Sequence, residues 1–533
     1  MPSPLPKTRV SKATGLRYWM LAVLDECERV SKDFAADPVH DLRVALRRCR
    51  SLADGVMALD PDPGWKAMKK AGKRLFQRLG ALRDTQVMMG WIETVEELLP
   101  RAPSAGGEWL QQDPGREEPE TKDPVAAALL GLLRTWEKEQ KLDAQAALEE
   151  FDRKQWRQWS KSLPARAAHF RPGSALFKHL ALERWAQARE LHNRALRNRS
   201  KTALHNLRIG IKRFRYIVEN FLPAQHKAWA DDLKEMQDLL GEVHDLDVLW
   251  ATALACHIFP DAQSRKLWHE IMVAERGKRV ERYRARMIGP ACLWNIWRGD
   301  LPQGRQIQVL TLRRMKLWAG GLDPDFAHSE RVSALALQLY EGLLNSGWKP
   351  AVDPAAGRAS LFAAALLHDV GKSAGEKGHH KASLSMIRAH GIPLGWSAAD
   401  LSRAAVVARF HRGALPRRSH KSLRDLLPQE QKAIIELSGV LRLANALDAT
   451  HDGRIRRIQV EKETGNIAHG HAGANGFKRK SFVVNRGYPL FIAAEGYSPL
   501  GRSAQTIAAE RHLLETVLRR PVVVKAMKHS LAR

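Results

Sequence analysis

A histidine followed directly by an aspartate is the feature of this sequence that most directly suggests chemistry. The pair, His368 and Asp369, lies in the stretch LLHDVGK that ends at Lys372. Imidazole nitrogens and carboxylate oxygens are ligands that divalent metals such as Mn, Mg, Fe and Zn accept in proteins. A bound metal lowers the pKa of a water molecule and polarises a phosphoryl oxygen, and Lys372 would add positive charge against a phosphate.

A single His-Asp pair is a common structural feature, so its weight depends on ligands elsewhere in the chain. Further candidates lie on separate predicted helices, at His328, His379, His380, His411 and Asp448. The fold would have to bring these side chains together for a metal to bind. We therefore predict a divalent-metal site in this half of the chain, with the identity of the metal left open.

Two basic stretches in the first half carry a second suggestive pattern. They read VHDLRVALRRCR from Val39 and LHNLRIGIKRFR from Leu204. At about 100° per residue, each predicts a helix with one cationic face and an opposite apolar face. A solvated face usually mixes signs, because opposite charges four residues apart stabilise a helix, so a single sign favours a polyanion site. The cationic faces are His40, Arg43, Arg47 and Arg50 in the first helix and His205, Arg208, Lys212 and Arg215 in the second.

The two basic stretches belong to an internal repeat. LGALRDTQV from Leu79 follows the first stretch, and LGEVHDLDV from Leu240 follows the second at nearly the same distance. Two matches in the same order at similar spacing indicate duplicated structure. Asp84 and Asp245 close the two copies, where each could orient an arginine or a histidine or be purely structural.

Helical periodicity dominates the sequence and predicts a mainly α fold. It runs from residue 15 to about 290 and resumes from 326 to about 448. The segment 100–124, rich in Pro, Gly and acidic residues, predicts a flexible linker, and GDLPQGRQ at 299–306 predicts a second break. After residue 455, RIRRIQVEKE, SFVVNRG and PLFIAAEG are typical of strands, and SAQTIAAERHLLETVLRR of an amphipathic helix. This tail predicts a small α/β extension over 456–533.

The composition bears on partners rather than on fold. Of 533 residues, 86 are Lys or Arg and 58 are Asp or Glu, a formal net charge of +28 that favours polyanions. The four cysteines form no CxxC pair, which argues against a disulfide framework or a zinc knuckle and is typical of the reducing cytosol. No apolar run is long enough to span a membrane, so we expect a cytoplasmic protein and leave a homodimer open.

The residue types on the basic faces distinguish among polyanions. Single-stranded nucleic-acid sites interleave aromatic residues for base stacking, and neither face contains one. No zinc finger or base-reading helix pattern is present in the sequence. One guanidinium can donate two parallel hydrogen bonds to the oxygens of a phosphate. A site of Arg, Lys and His therefore favours a bare phosphate chain such as inorganic polyphosphate over nucleic acid.

The repeated motifs resemble a known domain. Two copies of H-x-x-R-x-x-x-[RK]-R-x-R, each followed by L-G-x-x-x-D-x-x-V, resemble the CHAD (conserved histidine α-helical) domain over 10–295. The resemblance implies a bundle with two pseudo-symmetric halves, here about 10–99 and 125–295, whose basic cavity binds polyphosphate, and it implies association with polyphosphate granules. With two lysines of a neighbouring basic stripe, the expected polyphosphate-binding residues are His40, Arg43, Arg47, Arg48, Arg50, Lys69, Lys73, His205, Arg208, Lys212, Arg213 and Arg215.

The second half resembles another family. The order H…HD…H…D is similar to that of the HD superfamily of metal-dependent phosphohydrolases, with a domain expected at 310–455. The stretches LLHDVGK, HHKASLSMI, VVARFHRGALP and VLRLANALDATH resemble, over about 310–500, the C-terminal HD-type domain of the exopolyphosphatase and guanosine-pentaphosphate phosphatase family. The HD superfamily implies the metal ligands His328, His368, Asp369 and Asp448. It leaves Lys372, His379, His380 and His411 for catalysis, a second metal or the substrate phosphate.

Two functions follow from these resemblances and both are left open. The first is a polyphosphate-binding protein whose HD-type site is a metal-dependent phosphohydrolase acting on polyphosphate or a related phosphoanhydride. The second is a non-catalytic protein that binds polyphosphate granules and keeps a structural or vestigial HD site. In exopolyphosphatases catalysis belongs to an N-terminal actin-like ATPase fold, and here the CHAD-like region stands in its place.

Overall fold

The computed structural model describes residues 15–32, 34–99, 123–198, 200–461 and 488–527. The chain divides into two units, Met1–Gln306 and Ile307–Arg533. Helices dominate both units, and the described residues form one small sheet, so the predicted mainly α fold is confirmed. None of the described helices combines the length and the apolar character that crossing a bilayer requires.

The first unit is a helical bundle. Several of its helices start at a side chain that accepts a hydrogen bond from the first turn, as Asp62 does before α3 and Asp123 before α5. Proline occupies the first position of both helices, where its missing N–H costs nothing. The helices are α1 (Leu16–Val30), α2 (Ala36–Val56), α3 (Pro63–Ala71), α4 (Lys73–Leu98), α5 (Pro124–Glu149), α6 (Arg153–Ala167), α7 (Ala175–Asn198), α8 (Lys201–Phe221), α9 (Pro223–Ala255), α10 (Ala262–Met287) and α11 (Leu293–Gly299).

The helices of this unit pack in two sets with the same order of partners. In the first set α1 packs against α2, α2 against α4, and α4 against α5. In the second set α7 packs against α8, α8 against α9, and α9 against α10. The sets differ from the predicted halves in one respect. Helices α5 and α6 come after the predicted linker 100–124, of which 100–122 lies outside the described residues. They nevertheless pack against α4 and α1, respectively. The first set therefore extends to α6.

The two basic helices, α2 and α8, pack against each other. Gly55 allows this close approach, because a Cβ at that position would collide with the ring of Phe221. The apolar residues predicted to oppose the basic faces are confirmed as buried: Leu42, Ala45, Leu46, Cys49, Leu52, Ala53, Leu207, Ile211, Phe214, Ile217 and Val218. Burial of these faces fixes the rotation of both helices and therefore the direction of their cations.

The second unit has one hydrophobic core, shared by helices and strands. Within it α13 packs against α14 and α17, and α14 also packs against α16. The helices are α12 (Arg305–Gly320), α13 (Phe326–Asn345), α14 (Pro354–Leu367), α15 (His379–Ala389), α16 (Ala398–Arg409), α17 (Pro428–Leu447), α18 (Ser503–Glu510) and α19 (His512–Leu518), with a 3-10 turn at Val370–Ala374.

A three-stranded sheet forms the C-terminal part of this unit. Strand β1 (Ile458–Val460) pairs antiparallel with β2 (Leu490–Ala494), which pairs parallel with β3 (Val522–Ala526). Buried side chains from all three strands, such as Ile492, belong to the same core as the helices. The predicted α/β extension is therefore continuous with the helical part of the unit.

The tail differs in detail from its sequence prediction. The predicted strand SFVVNRG lies outside the described residues. The single amphipathic helix predicted over SAQTIAAERHLLETVLRR is two helices, α18 and α19, separated at Arg511, and both pack against α17. Strand β3 was not predicted, although its run of valines is a signal that favours a strand.

Candidate metal centre and cationic cluster

Four side chains of the second unit converge because helix ends meet there. His368 caps the end of α14, Asp369 precedes the 3-10 turn, His379 opens α15, and His411 follows the end of α16. All four are buried, with 3% or less of each residue exposed. We call these four residues the His–Asp centre.

A glycine lets the turn after Asp369 approach α15. A Cβ at Gly371 would collide with the carbonyl oxygen of His379, and it would lie 2.6 Å from the backbone nitrogen of Ser383. The Ser383 hydroxyl joins the two segments, since it donates to the His368 carbonyl oxygen at 2.7 Å and accepts from the Gly371 N–H at 3.0 Å. Gly371 therefore positions Asp369 beside His379.

Replacing Gly371 with alanine is expected to destabilise the second unit by about 1–3 kcal/mol, because the backbone of α15 must shift to admit the methyl group. Chemical denaturation followed by circular dichroism measures this loss. A control is Gly131→Ala on α5, where a Cβ meets nothing within 4 Å and stability should stay equal or rise slightly. Equal stability of the two variants would contradict the packing described here.

The three imidazoles of the His–Asp centre share one orientation. The Nδ1 atoms of His368, His379 and His411 lie 2.6, 2.9 and 2.7 Å from backbone carbonyl oxygens. A carbonyl oxygen only accepts, so each Nδ1 carries a proton, and in the neutral imidazole the Nε2 then offers a lone pair. Metal-ligating histidines are held in this way by a hydrogen bond at the second ring nitrogen.

The lone pairs converge on Asp369. Its Oδ1 lies 3.1 Å from His379 Nε2 and 3.5 Å from His411 Nε2, and its Oδ2 lies 3.5 Å from His368 Nε2. The Nε2 atoms of His379 and His411 are 3.2 Å apart. Buried acceptors facing one another are unfavourable unless a cation or a proton joins them, and His368 Nε2 and Asp369 Oδ1 make no hydrogen bond. The centre therefore fits a divalent metal.

Charge in the centre also suits a metal. Burial lowers the pKa of His368 and His411, which keeps these two imidazoles neutral. Burial alone would raise the pKa of Asp369, but the adjacent imidazoles and Lys372 hold it below its usual range, and Lys372 Nζ lies 2.6 Å from Asp369 Oδ2. Neutral imidazole and ionised carboxylate are the protonation states that bind metals.

Two groups of three side chains in the described residues are close enough to hold an ion, and both contain Asp369. One group is Asp369, His379 and His411, and the other is His328, His368 and Asp369. Asp369 could therefore bridge two ions. Of the residues left for a second metal or the substrate, His379 and His411 lie in the first group, while His380 lies beside them with its ring centre 5.9 Å from that of His379.

Asp448, a ligand that the HD resemblance implies, lies in neither group. Its Oδ2 lies 2.8 Å from His328 Nδ1 and accepts from Arg331 Nε at 2.9 Å, and its Oδ1 accepts from the Gly453 N–H at 3.2 Å. The other nitrogen of His328 lies 3.0 Å from Asn445 Oδ1. In this arrangement Asp448 orients His328, and both of its oxygens already accept hydrogen bonds.

In the first unit, the repeat motifs place arginines over glycines. Arg43 donates to the carbonyl oxygen of Gly80 at 3.1 Å and lies 3.6 Å from Asp84. A Cβ at Gly80 would be 3.9 Å from the Arg43 guanidinium, and a Cβ at Gly241 would be 4.0 Å from Arg208 Nε. Both copies of the L-G motif thus lie in contact with the arginine of the preceding basic helix, at a distance that a Cβ would tolerate.

Cations from both copies of the repeat influence one another. Burial and the charges of Arg208 and Arg47 lower the pKa of Lys212 to about 7, and Arg43 contributes in the same direction. Arg208 Nε is buried and has no hydrogen-bond partner. Because Arg43 and Arg47 lie on α2 and the other two on α8, we call these four residues the cationic cluster. Asp245 acts on the pKa of Lys212 in the opposite direction, and like charges at close range are costly unless an anion compensates them.

The other predicted binding residues are not part of this cluster. Arg48 pairs with Glu219 and Lys69 with Asp54, so both charges have protein partners. Arg215 lies 4.0 Å from Glu219. His40, Lys73 and Arg213 are exposed, and His205 faces His244 with their Nδ1 atoms 3.4 Å apart. Burial, then the charges of Arg208 and Lys212, lower the pKa of His205, so this histidine borders the cluster, and the binding role of all these residues stays a prediction.

Sequence reasoning missed aromatic residues that other helices bring near the basic faces. Phe76 on α4 lies with its ring centre 4.8 Å from the Arg50 guanidinium carbon and 5.6 Å from that of Arg43. Trp136 lines a cleft of about 510 Å³ together with His205 and its neighbour His244. The basic faces themselves carry no aromatic residue, but their surroundings do. Only His244 gave a signal, since it occupies the position of Arg83 in the repeat.

Comparison with known proteins agrees with the two sets of motifs. Residues 20–254 match the family model of the CHAD domain, and residues 318–471 match that of the Ppx/GppA phosphatase domain III. A crystal structure of the CHAD domain from the plant Ricinus communis is 19% identical, and the match covers 56% of this chain and 96% of that chain with a TM-score of 0.34. No curated protein matches the chain. The predicted order of domains is confirmed: this chain carries a CHAD domain followed by a domain III of the Ppx/GppA phosphatase type.

Proposed function

We propose that this protein binds inorganic polyphosphate through the cationic cluster and hydrolyses polyphosphate or a related phosphoanhydride at the His–Asp centre. The matched CHAD and Ppx/GppA phosphatase families support a role with phosphate chains. The observation that carries the catalytic part is the convergence of the histidine Nε2 atoms on Asp369, with His368 Nε2 and Asp369 Oδ1 buried and unbonded. Association with polyphosphate granules would follow from such binding.

The residues of the His–Asp centre would hold a divalent metal, whose contribution is an activated water and stabilisation of phosphoryl charge. In the overall reaction, water oxygen forms a bond to a terminal phosphorus and the bond from that phosphorus to the bridging oxygen breaks. The bridging oxygen keeps the electron pair, and the proton of the water is released to solvent. Lys372 fixes Asp369 and adds positive charge next to it.

A second function is favoured by a specific observation. Both nitrogens of His328 are engaged and Asp448 is held by Arg331, so the four ligands that the HD resemblance implies are not free together. This arrangement favours a non-catalytic polyphosphate-binding protein with a structural or vestigial centre. Such a protein would bind polyphosphate with unchanged affinity after His368→Ala or Asp369→Ala and would release no phosphate.

The deciding experiment is phosphate release by the purified full chain with Mn, Mg, Fe or Zn, on polyphosphate and on nucleotide phosphates. Metal-dependent release supports the phosphohydrolase. If no phosphate is released with any metal or substrate while polyphosphate still binds, the result supports the non-catalytic binding protein. If single-stranded DNA displaces polyphosphate at equal phosphate concentration, the ligand is instead a general polyanion, with Phe76 and Trp136 as candidate stacking residues.

Polyphosphate affinity is expected to fall as pH rises through about 7. The pKa of Lys212 is lowered to about 7 by burial and by Arg208 and Arg47, so its ammonium is charged below that pH and neutral above it. A polyanion prefers the charged form, and its binding would raise this pKa again. Titrations at pH 6 and pH 8.5 at constant ionic strength measure the change, and Lys212→Arg should flatten it. An unchanged pH profile in Lys212→Arg would exclude Lys212 as the cause.

A further inference from the structure

The His–Asp centre is assembled from two parts that are held separately. His368, Asp369 and His379 form one part, because the Ser383 hydroxyl joins the turn after α14 to α15. His411 comes from a different helix, since it follows the end of α16. A metal bound among Asp369, His379 and His411 therefore requires that the segment after α16 be held in a fixed position relative to α15.

A buried arginine holds the segment that carries His411. Arg442 on α17 donates from Nη1 to the Phe410 carbonyl oxygen at 3.0 Å, and from Nη2 to the Gly413 carbonyl oxygen at 3.2 Å. His411 lies between these two residues in the sequence. Because a guanidinium is planar and its donors have a fixed geometry, one side chain sets the position of both ends of the segment 410–413.

Arg442 is itself fixed by a carboxylate from the C-terminal part of the chain. Its side chain is 5% exposed, and its Nε donates to Glu510 of α18 at 2.6 Å. A buried cation is costly unless a carboxylate compensates its charge, so Glu510 keeps the guanidinium beside the two carbonyl groups. Glu510 lies beyond residue 471, where the match to the phosphatase domain III ends.

We infer that the Arg442–Glu510 pair positions His411 for metal binding, so that α18 of the C-terminal extension is a functional part of the His–Asp centre. The pair acts through His411, and both of its members are therefore positioning residues. Partners that orient a metal ligand usually contribute about 10–100-fold to metal affinity. This inference rests on the proposed function, because it concerns the metal centre on which that function depends.

The test uses the full chain prepared without metal, and Mn²⁺ binding is measured by calorimetry. Glu510→Ala should weaken Mn²⁺ binding by about tenfold or more, because it leaves the Arg442 guanidinium without its carboxylate. The matched control is Glu341→Ala, since Glu341 is an exposed helical carboxylate of the same unit that accepts from Arg358 at 2.8 Å. The control should stay within about twofold of the parent protein, as expected for a surface ion pair.

A double-mutant cycle distinguishes positioning of His411 from a general loss of stability. In a His411→Ala background, Glu510→Ala should change the Mn²⁺ affinity little further, because the ligand through which it acts is already gone. A purely structural role would give the same loss in both backgrounds. Glu510→Gln keeps an oxygen that can accept from Arg442 Nε, so it should recover part of the affinity. Thermal unfolding of each variant shows that the fold is retained.

A second readout requires no metal. Hydrogen–deuterium exchange of the metal-free protein should be faster at 410–413 in Glu510→Ala than in the parent protein, because the hydrogen bonds that fix this segment are weakened. Exchange in α15, which carries His379, should stay unchanged. Glu341→Ala should alter neither segment.

Equal Mn²⁺ affinity in Glu510→Ala and Glu341→Ala, or additive losses in the cycle, would overturn the inference. Its failure is distinguishable from failure of the proposed function. Mn²⁺ binding by the parent protein that is indifferent to Glu510→Ala contradicts the inference alone. If the parent protein binds no Mn²⁺, the metal centre is contradicted. In that case faster exchange at 410–413 still supports a positioning role for the Arg442–Glu510 pair, and unchanged exchange contradicts it.

Discussion

The Asp369→Asn variant is expected to purify without a divalent metal. It should release phosphate from polyphosphate more than about 100-fold more slowly than the parent protein. This loss exceeds the about 10–100-fold that is usual when a partner of a metal ligand is removed. Asp369 is the only residue common to both groups of potential ligands in the described part of the chain. An amide in its place removes the negative charge on which the imidazoles converge. Elemental analysis and a phosphate-release assay measure the two effects.

Asp425→Asn is the matched control for this substitution, since Asp425 is an exposed carboxylate of the same unit beside Arg424. It should keep both metal and rate. A second comparison is Asp448→Asn, which acts through His328 and should cost about 10–100-fold in metal affinity. Equal losses in Asp369→Asn and Asp448→Asn would show that Asp448 is a direct ligand, as the HD resemblance implies.

Arg47→Gln combined with Arg208→Gln is expected to weaken polyphosphate binding by about 10–100-fold, because each charged hydrogen bond to a phosphate contributes more than a neutral one. The two residues come from α2 and α8, so the double variant removes one cation from each copy of the repeat. The slope of log affinity against log salt should fall by about 1.5, as expected for the loss of two phosphate contacts. Fluorescence anisotropy with labelled polyphosphate measures both quantities.

The control removes two charges from the surface of the same unit, with Arg265→Gln and Lys266→Gln at the start of α10. Both residues are exposed and neither lies in the cationic cluster. If binding depends only on net charge, the two double variants will lose equal affinity. That result would contradict a defined site formed by α2 and α8.

Local patterns predicted the basic helices well. The spacing of apolar residues on α2 and α8 fixed which face is buried, and the repeat placed Arg43 and Arg208 in equivalent positions over Gly80 and Gly241. These features depend on helical periodicity and on matches between copies, both of which are visible along the chain.

Long-range pairing was not predictable in the same way. Arg48 belongs to the basic motif, yet it forms an ion pair with Glu219 of α8. Phe76 reaches Arg50 from a helix whose sequence gave no reason to place it there. The partner of a charged side chain depends on which helices are neighbours, and spacing within one helix does not contain that information.

The His–Asp centre shows the same difference between local patterns, which the sequence predicts, and long-range contacts, which it does not. The motifs supplied His368, Asp369, His379 and His411, and the structure brings them together. The motifs did not indicate that Arg331, one turn after His328, would donate a hydrogen bond to Asp448. The burial of Arg409 Nη1 without a hydrogen bond depends on the packing around α16 and is likewise not visible along the chain.

The central claim is that the His–Asp centre is a metal centre, and crystallography with Mn²⁺ tests it most directly. Anomalous difference maps from crystals of the full chain grown with Mn²⁺ should show a peak bounded by Asp369 and the Nε2 atoms of His379 and His411. A peak elsewhere, or none at the centre while a water molecule joins these side chains, would contradict the claim.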